Sequence, residues 1–124
     1  DKEFADRLAA ILEQNLARPE FSIAEFAQMM KLGRTVFYRK LRGVTGYSPN
    51  EYLRVVRMKK AAELLLSEDN LTVAEVSYKV GISDPFYFSK CFKKQFGVSP
   101  SVYLRGKNDP EEKENDDKEE ETCE

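Results

Sequence analysis

Ser22-Ile23-Ala24-Glu25 returns as Thr72-Val73-Ala74-Glu75, 50 residues further on. Phe37, Gly46, Ser48, Pro49, Tyr52, Leu53 and Arg54 then return as Phe88, Gly97, Ser99, Pro100, Tyr103, Leu104 and Arg105, 51 residues further on. In a chain of 124 residues such a repeat means one structural unit built twice, which constrains architecture more than any single motif does. Each copy opens on a hydroxyl residue with Glu three places later, the capping box that encodes a helix start locally. Those two helices are expected to run to about Met30 and Val80.

After each of these helices the chain reads as a tight turn and a second helix. Gly81 suits a left-handed turn after the second copy's first helix, since glycine enters that conformation freely. Lys31 stands at the matching place in the first copy, where a non-glycine residue costs roughly 1–2 kcal/mol, so either that cost is borne or the turn differs. The next helix starts near Gly33-Arg34 in copy one and at Asp84-Pro85 in copy two, where Asp as N-cap and Pro at the first helical position are both start signals. One extra residue in the second turn accounts for the change of shift from 50 to 51.

Ser48-Pro49 and Ser99-Pro100 open a third helix in each copy by the same logic. The helix after Pro49 should run to about Leu66 with Val55, Met58, Ala62 and Leu65 on one stripe, making a connector roughly 27 Å long. The one after Pro100 should end near Gly106. Ahead of the repeats, Phe4, Leu8, Ile11 and Leu12 recur at helical spacing up to Leu16, before Pro19. The expected fold is all-α, with about seven helices: two helix-turn-helix subdomains, about 20–47 and 71–106, joined by a long central helix at about 49–66. Together they make one domain over 1–107, and a disordered or weakly helical acidic tail over 108–124, with almost no apolar residue, comes after it.

The net charge of −2 conceals a segregation. Residues 1–107 carry 18 Lys and Arg against 12 Asp and Glu, whereas residues 108–124 carry 2 against 10. Between Lys31 and Lys107 the ratio steepens to 15 against 6, so positive charge sits where the repeats lie and attracts polyanions. No apolar run approaches the ~18 residues of a membrane span, and no signal-peptide pattern opens the chain, so a cytoplasmic location without membrane contact is expected. The start at Asp1 without an initiator Met fits a cut point inside a longer protein. No His is present, and Cys91 and Cys123 have neither framework nor metal-site spacing, so two reduced thiols, no metal and no cofactor are expected. No Gly-rich phosphate loop occurs, and carboxylates pair only at Glu68-Asp69 and in the tail, which leaves no candidate for catalysis and argues against an enzyme.

The second helix of each repeat carries the chemistry. From Arg34 to Thr45, Phe37, Leu41 and Val44 form an inner stripe, which leaves Thr35, Tyr38, Arg39 and Arg42 on the opposite face at i, i+3, i+4, i+7. From Pro85 to Phe96 the inner stripe is Phe88, Phe92 and Phe96, leaving Phe86, Ser89, Lys90 and Lys93 outside. Donors at the start of such a helix are what reach base edges in a major groove. The base-reading set is therefore Arg34, Thr35, Tyr38 and Arg39 with Pro85, Phe86, Ser89 and Lys90, in which Arg39 and Lys90 are the principal readers. Lys40, Arg42, Lys93 and Lys94 are better placed for phosphates, which position a protein without reading sequence. Phe86 is an aromatic on a polar face, for which contact with a thymine methyl and capping of the local core are equally good accounts. The competing class is a protein-interaction module that offers the same basic faces to an acidic partner.

The pattern Phe37-x-Arg39-x-Leu41 through Thr45-Gly46-x-Ser48-Pro49-x-x-Tyr52-Leu53, with Arg57 and Ala61-Ala62 further along, resembles the first half of the AraC/XylS-type DNA-binding domain. Val73-Ala74-Glu75-Val76 through Gly81, then Tyr87-Phe88-Ser89-Lys90-x-Phe92-Lys93-x-x-Phe96-Gly97-x-Ser99-Pro100-x-x-Tyr103, resembles its second half. The likeness covers about residues 4–106. Gly33 stands where that family usually has a capping Ser, Lys31 where it often has Gly, and Ile82 where it often has Phe. The resemblance implies two helix-turn-helix units that each place a recognition helix in the major groove of double-stranded DNA for transcription regulation. The wording from Ser83 to Lys94 and the extra helix before Ser22 resemble the output domain of hybrid two-component regulators. That implies sensor and receiver modules on the same polypeptide, RNA polymerase as a candidate partner, and carbohydrate-utilisation genes as targets.

Overall fold

Ser48 and Thr72 each start a helix by a reciprocal cap. Each hydroxyl accepts from the amide three residues on, while the Glu51 or Glu75 carboxylate accepts from the capping residue's own amide at 3.0 and 2.8 Å. Ser22 makes only half of this device. Its Oγ accepts from the Glu25 amide at 3.1 Å, but the Glu25 carboxylate is turned to the Arg18 guanidinium, which donates to it at 2.9 and 3.2 Å. The capping box expected there is thus broken by a stronger, charge-assisted partner.

The computed structural model describes residues 2–108, and these form seven helices and no strand. They are α1 (Lys2–Asn15), α2 (Ile23–Met29), α3 (Arg34–Thr45), α4 (Pro49–Leu65), α5 (Val73–Lys79), α6 (Pro85–Phe96) and α7 (Pro100–Asn108). The last runs two residues beyond the expected stop at Gly106, since one glycine in a final turn costs only about 1 kcal/mol. The acidic tail expected beyond it lies outside the described residues, as does Cys123. Cys91 is 2% exposed.

Both turns inside the helix-turn-helix units have the same hand. Gly81 has φ 84°, and Lys31 adopts φ 61° in its place. The same two backbone bonds close each: Lys31 N to Gln28 O and Leu32 N to Ala27 O in the first, Gly81 N to Tyr78 O and Ile82 N to Ser77 O in the second. Lys31 therefore bears the left-handed cost. The second turn has no freedom to do the same, since a Cβ on Gly81 would stand 2.5 Å from the Leu16 carbonyl and 2.9 Å from Arg57 Nη2.

Two apolar cores result. In the first, Phe26 packs between Phe21 and Phe37 with ring centroids 5.3 and 4.9 Å away, closed by Leu8 and Leu12 of α1 and Leu53 of α4. In the second, Phe92 packs on Phe88, Phe96 and Tyr103 at 5.9, 4.6 and 5.2 Å, against Met58, Ala61, Ala62 and Leu65 of α4. The connector is thus a wall of both cores. Its C-terminal part also has a counterpart earlier in the chain. Buried Leu8, Leu12 and Asn15 of α1 correspond to buried Met58, Ala62 and Leu65 of α4 at the shift of 50, so the repeat extends back into α1.

That correspondence explains one departure. Val44, placed on the inner stripe of α3 by its spacing, is 47% exposed. Its counterpart Gln95 is half-buried against α4 and donates to the Val55 carbonyl at 3.4 Å. In the first unit α1 takes the place of α4 and leaves Val44 uncovered. Phe96 is likewise only half-buried.

Because Lys31 is held against its preferred backbone, Lys31→Gly should raise stability by about 0.5–1 kcal/mol, read as a higher urea midpoint. Gly81→Ala should lower the midpoint. An unchanged or lower midpoint for Lys31→Gly would show that no strain is stored in the first turn.

Candidate nucleic-acid interface

Arg34–Thr45 and Pro85–Phe96 are helices of 12 residues each in the same register. Each is preceded by an extended N-cap and ends on a glycine with φ 82° or 84°, whose amide donates at 2.8 Å to the carbonyl of Arg42 or Lys93. The caps differ. Asp84 accepts from the Phe86 amide at 3.0 Å, whereas Gly33 offers no side chain. A glycine N-cap is weaker by only a few tenths of a kcal/mol, which is why α3 still starts where expected.

Core contacts decide which way each helix faces. Phe37 and Leu41 bury the inner side of α3, and Phe88 and Phe92 that of α6. On the other side Arg34, Thr35, Tyr38, Arg39, Arg42 and Gly43 line one shallow concavity. Four of these six, Thr35, Tyr38, Arg39 and Arg42, are residues that the periodicity sets outward, and neither α3 nor α6 contains a carboxylate. Among the described residues Arg34, Arg39 and Lys90 take part in no ion pair, so their charge is directed at solvent. On α6 Lys90 and Lys94 are exposed, while Pro85, Ser89 and Lys93 are half-buried. Phe86 is 82% exposed, which disposes of the core-capping account of it.

Lys40 departs from the group. Its Nζ lies 5.2 Å from the centre of the Phe4 ring, a cation–π contact with α1 on the flank of α3. Its counterpart on α6 is buried Cys91, again because α4 covers that flank in the second unit.

A second basic surface is absent from the residues that periodicity singles out. An open cleft of about 580 Å³ between the two units is lined by Arg34, Asn50, Arg54, Arg57, Ile82 and Tyr87, among others. Asn50 and Arg54 are spaced i, i+4 on α4, a polar pair that the sequence does carry, on a helix whose length and apolar stripe point only to a connector, whereas Arg57 turns its guanidinium to the Leu16 and Arg18 carbonyls.

The comparisons with known proteins agree with this arrangement. A family model described as a helix-turn-helix domain matches residues 26–106. The chain is 31% identical to the C-terminal domain of AraT, a response regulator from Geobacillus stearothermophilus, covering 82% of this chain and 84% of that one with a TM-score of 0.74. The chain belongs to the AraC/XylS-type helix-turn-helix family. This is a family of DNA-binding transcription regulators, not of enzymes. The DNA-binding domain of AdpA, solved in complex with a target DNA, is 26% identical with a TM-score of 0.74 over 87% of this chain and 96% of that one. Among curated relatives, histidine kinase P4 of Formosa agariphila is 36% identical over 103 residues, 83% of this chain and 7% of that protein. The Msm operon regulatory protein of Streptococcus mutans is 41% identical over 83 residues, 67% of this chain and 30% of that protein. The chain thus spans only a fraction of the curated relatives it matches. No helix among the described residues is long and apolar enough to cross a membrane.

The opposed faces of α6 separate cleanly by substitution. Phe88→Ala should cost about 3–5 kcal/mol in thermal or urea unfolding, whereas Phe86→Ala should change stability by less than about 0.5 kcal/mol. A large loss for Phe86→Ala would return that ring to the core.

Proposed function

We propose that this domain binds double-stranded DNA in a sequence-specific way, with α3 and α6 each entering the major groove, as the output domain of a larger regulator. One observation carries the reading: two helices in identical register, one buried along one side by Phe37 and Leu41 and the other by Phe88 and Phe92, turn carboxylate-free faces of Arg, Lys, hydroxyl and aromatic residues outward. Arg39 and Lys90 are the principal base readers, flanked by Arg34, Thr35 and Tyr38 on α3 and by Pro85, Phe86 and Ser89 on α6. Phe86, fully outward, fits a thymine methyl. Arg42, Lys93, Lys94 and Lys40 are assigned to phosphates. The two faces differ in chemistry, so the two base blocks should differ in sequence and give the site a direction.

The likeness to a histidine kinase and to response-regulator domains supports an output role beneath sensor and receiver modules on one polypeptide in the cytoplasm. A likeness of 35% to the lactose operon transcription activator of Staphylococcus xylosus supports carbohydrate-utilisation genes as targets. RNA polymerase would then be a partner of the assembled regulator.

Two major-groove segments on one side of B-DNA lie ~34 Å apart. The 17 residues of α4 span only about 26 Å. We infer that either the DNA bends toward the protein, at a cost of about 1–6 kcal/mol, or one unit docks incompletely.

In-vitro selection of the domain against a randomised duplex library should enrich two blocks about one turn apart. Arg39→Ala and Lys90→Ala should each relax one block, with discrimination there falling by about 1–3 kcal/mol. Lys94→Ala should weaken all sequences alike and lower the salt slope by about 1. Absence of any enrichment would leave the basic faces to an acidic protein partner. A circular-permutation gel assay in which both blocks are footprinted on straight DNA would rule out the bend.

A further inference from the structure

The last turn of α1 ends on carbonyls that no helical amide can reach. Just beyond it, the carbonyls of Leu16 and Arg18 are both met by one side chain, and that of Arg18 also accepts from the Phe21 amide at 3.2 Å. Arg57, from the middle of α4, donates through Nε to Leu16 O at 3.2 Å and through Nη2 to Arg18 O at 2.9 Å. A guanidinium at a helix C-terminus is also favoured by the helix dipole, and Arg57 is half-buried there.

The loop it grips is fixed independently. Arg18 donates to both Glu25 carboxylate oxygens on α2 and to Asn15 Oδ1 at 2.8 Å, while Asn15 is buried and donates to the Ile11 carbonyl. Arg57 thus holds a rigid part of the first unit. Against the other side of the same contact stands Gly81, in the turn that sets the direction of α6. A Cβ there would lie 2.5 Å from Leu16 O, 2.9 Å from Arg57 Nη2 and 3.1 Å from Arg57 Cζ. The first unit, the connector and the turn of the second unit therefore meet at one point, with no room for a side chain.

We propose that Arg57 is a positioning residue for DNA recognition: by clamping the end of α1 to α4 beside Gly81, it fixes the angle between the two units and so the base-pair spacing that the domain accepts between its two blocks. This rests on the reading that both units dock. Arg57 reads no base in this account. Its guanidinium is committed to protein carbonyls, and desolvation pushes its pKa below the usual arginine value, as expected of a group turned inward.

The test uses the whole chain and the two-block sequence enriched by selection, with the spacing between blocks varied one base pair at a time, together with duplexes holding either block alone. Wild type should prefer one spacing by about tenfold over its neighbours. Arg57→Met should lose that preference and about tenfold in affinity at the best spacing, yet bind each single block within about twofold of wild type. Arg57→Lys, which keeps the charge but has no fork to bridge two carbonyls, should fall between them and guards against simple misfolding of the Met variant. A purely structural role would lower the melting temperature and leave the spacing preference of the folded protein intact, which would overturn the proposal. Backbone 15N relaxation without DNA gives the second readout: one tumbling time for both units in wild type, two in Arg57→Met. If wild type shows no preferred spacing, two-unit docking fails on its own account. The relaxation data then decide the clamp, and a single tumbling time in Arg57→Met would overturn it.

Discussion

Leu53 and Met58 leave α4 toward different cores, and most of the molecule depends on that helix being buried on both sides. A helix that merely linked two domains would be polar all round and free to swing. This one gives Leu53 to the first unit, and Met58, Ala61, Ala62 and Leu65 to the second. Neither unit can close its core without α4, so α3 and α6 are carried on one shared helix and not on a free linker. Arg57 adds a polar tie at the point where the halves meet, and the absence of a side chain at Gly81 lets them meet there.

The two units are built to one plan but are not equivalent, and the differences trace to what stands beside them. In the second unit α4 covers the flank of α6, which buries Cys91 and half-buries Gln95. In the first unit α1 stands in the same relation to α3, but leaves Val44 exposed and Lys40 over the ring of Phe4. The first turn carries Lys31 in a left-handed backbone because space around it allows a side chain. The second requires glycine because Leu16 and Arg57 occupy that space.

Much of this was legible in particular residues. Asp84-Pro85, Ser48-Pro49, Thr72 with Glu75, and the glycines at 46, 81 and 97 mark where helices start and stop, because capping and left-handed turns depend on chemistry within four or five residues. The alternation of Phe37 and Leu41 with Thr35, Tyr38 and Arg39 marks the outward face of α3 for the same local reason. The half-made cap at Ser22 was not legible, since nothing in Ser22-Ile23-Ala24-Glu25 says that Arg18 will take the carboxylate.

What the sequence by itself determined is the set of seven helices, the duplication, the basic character of the repeats and the outward faces of α3 and α6. All of these arise from periodicity, capping and charge, which act over a few neighbours. The tertiary structure alone decided that α4 serves two cores, that α1 repeats its role, that Val44 is bare and Phe86 fully outward, and that Arg57 reaches carbonyls 39 and 41 residues away. Those outcomes turn on which surfaces meet across the fold, and burial is a property of the partner as much as of the residue.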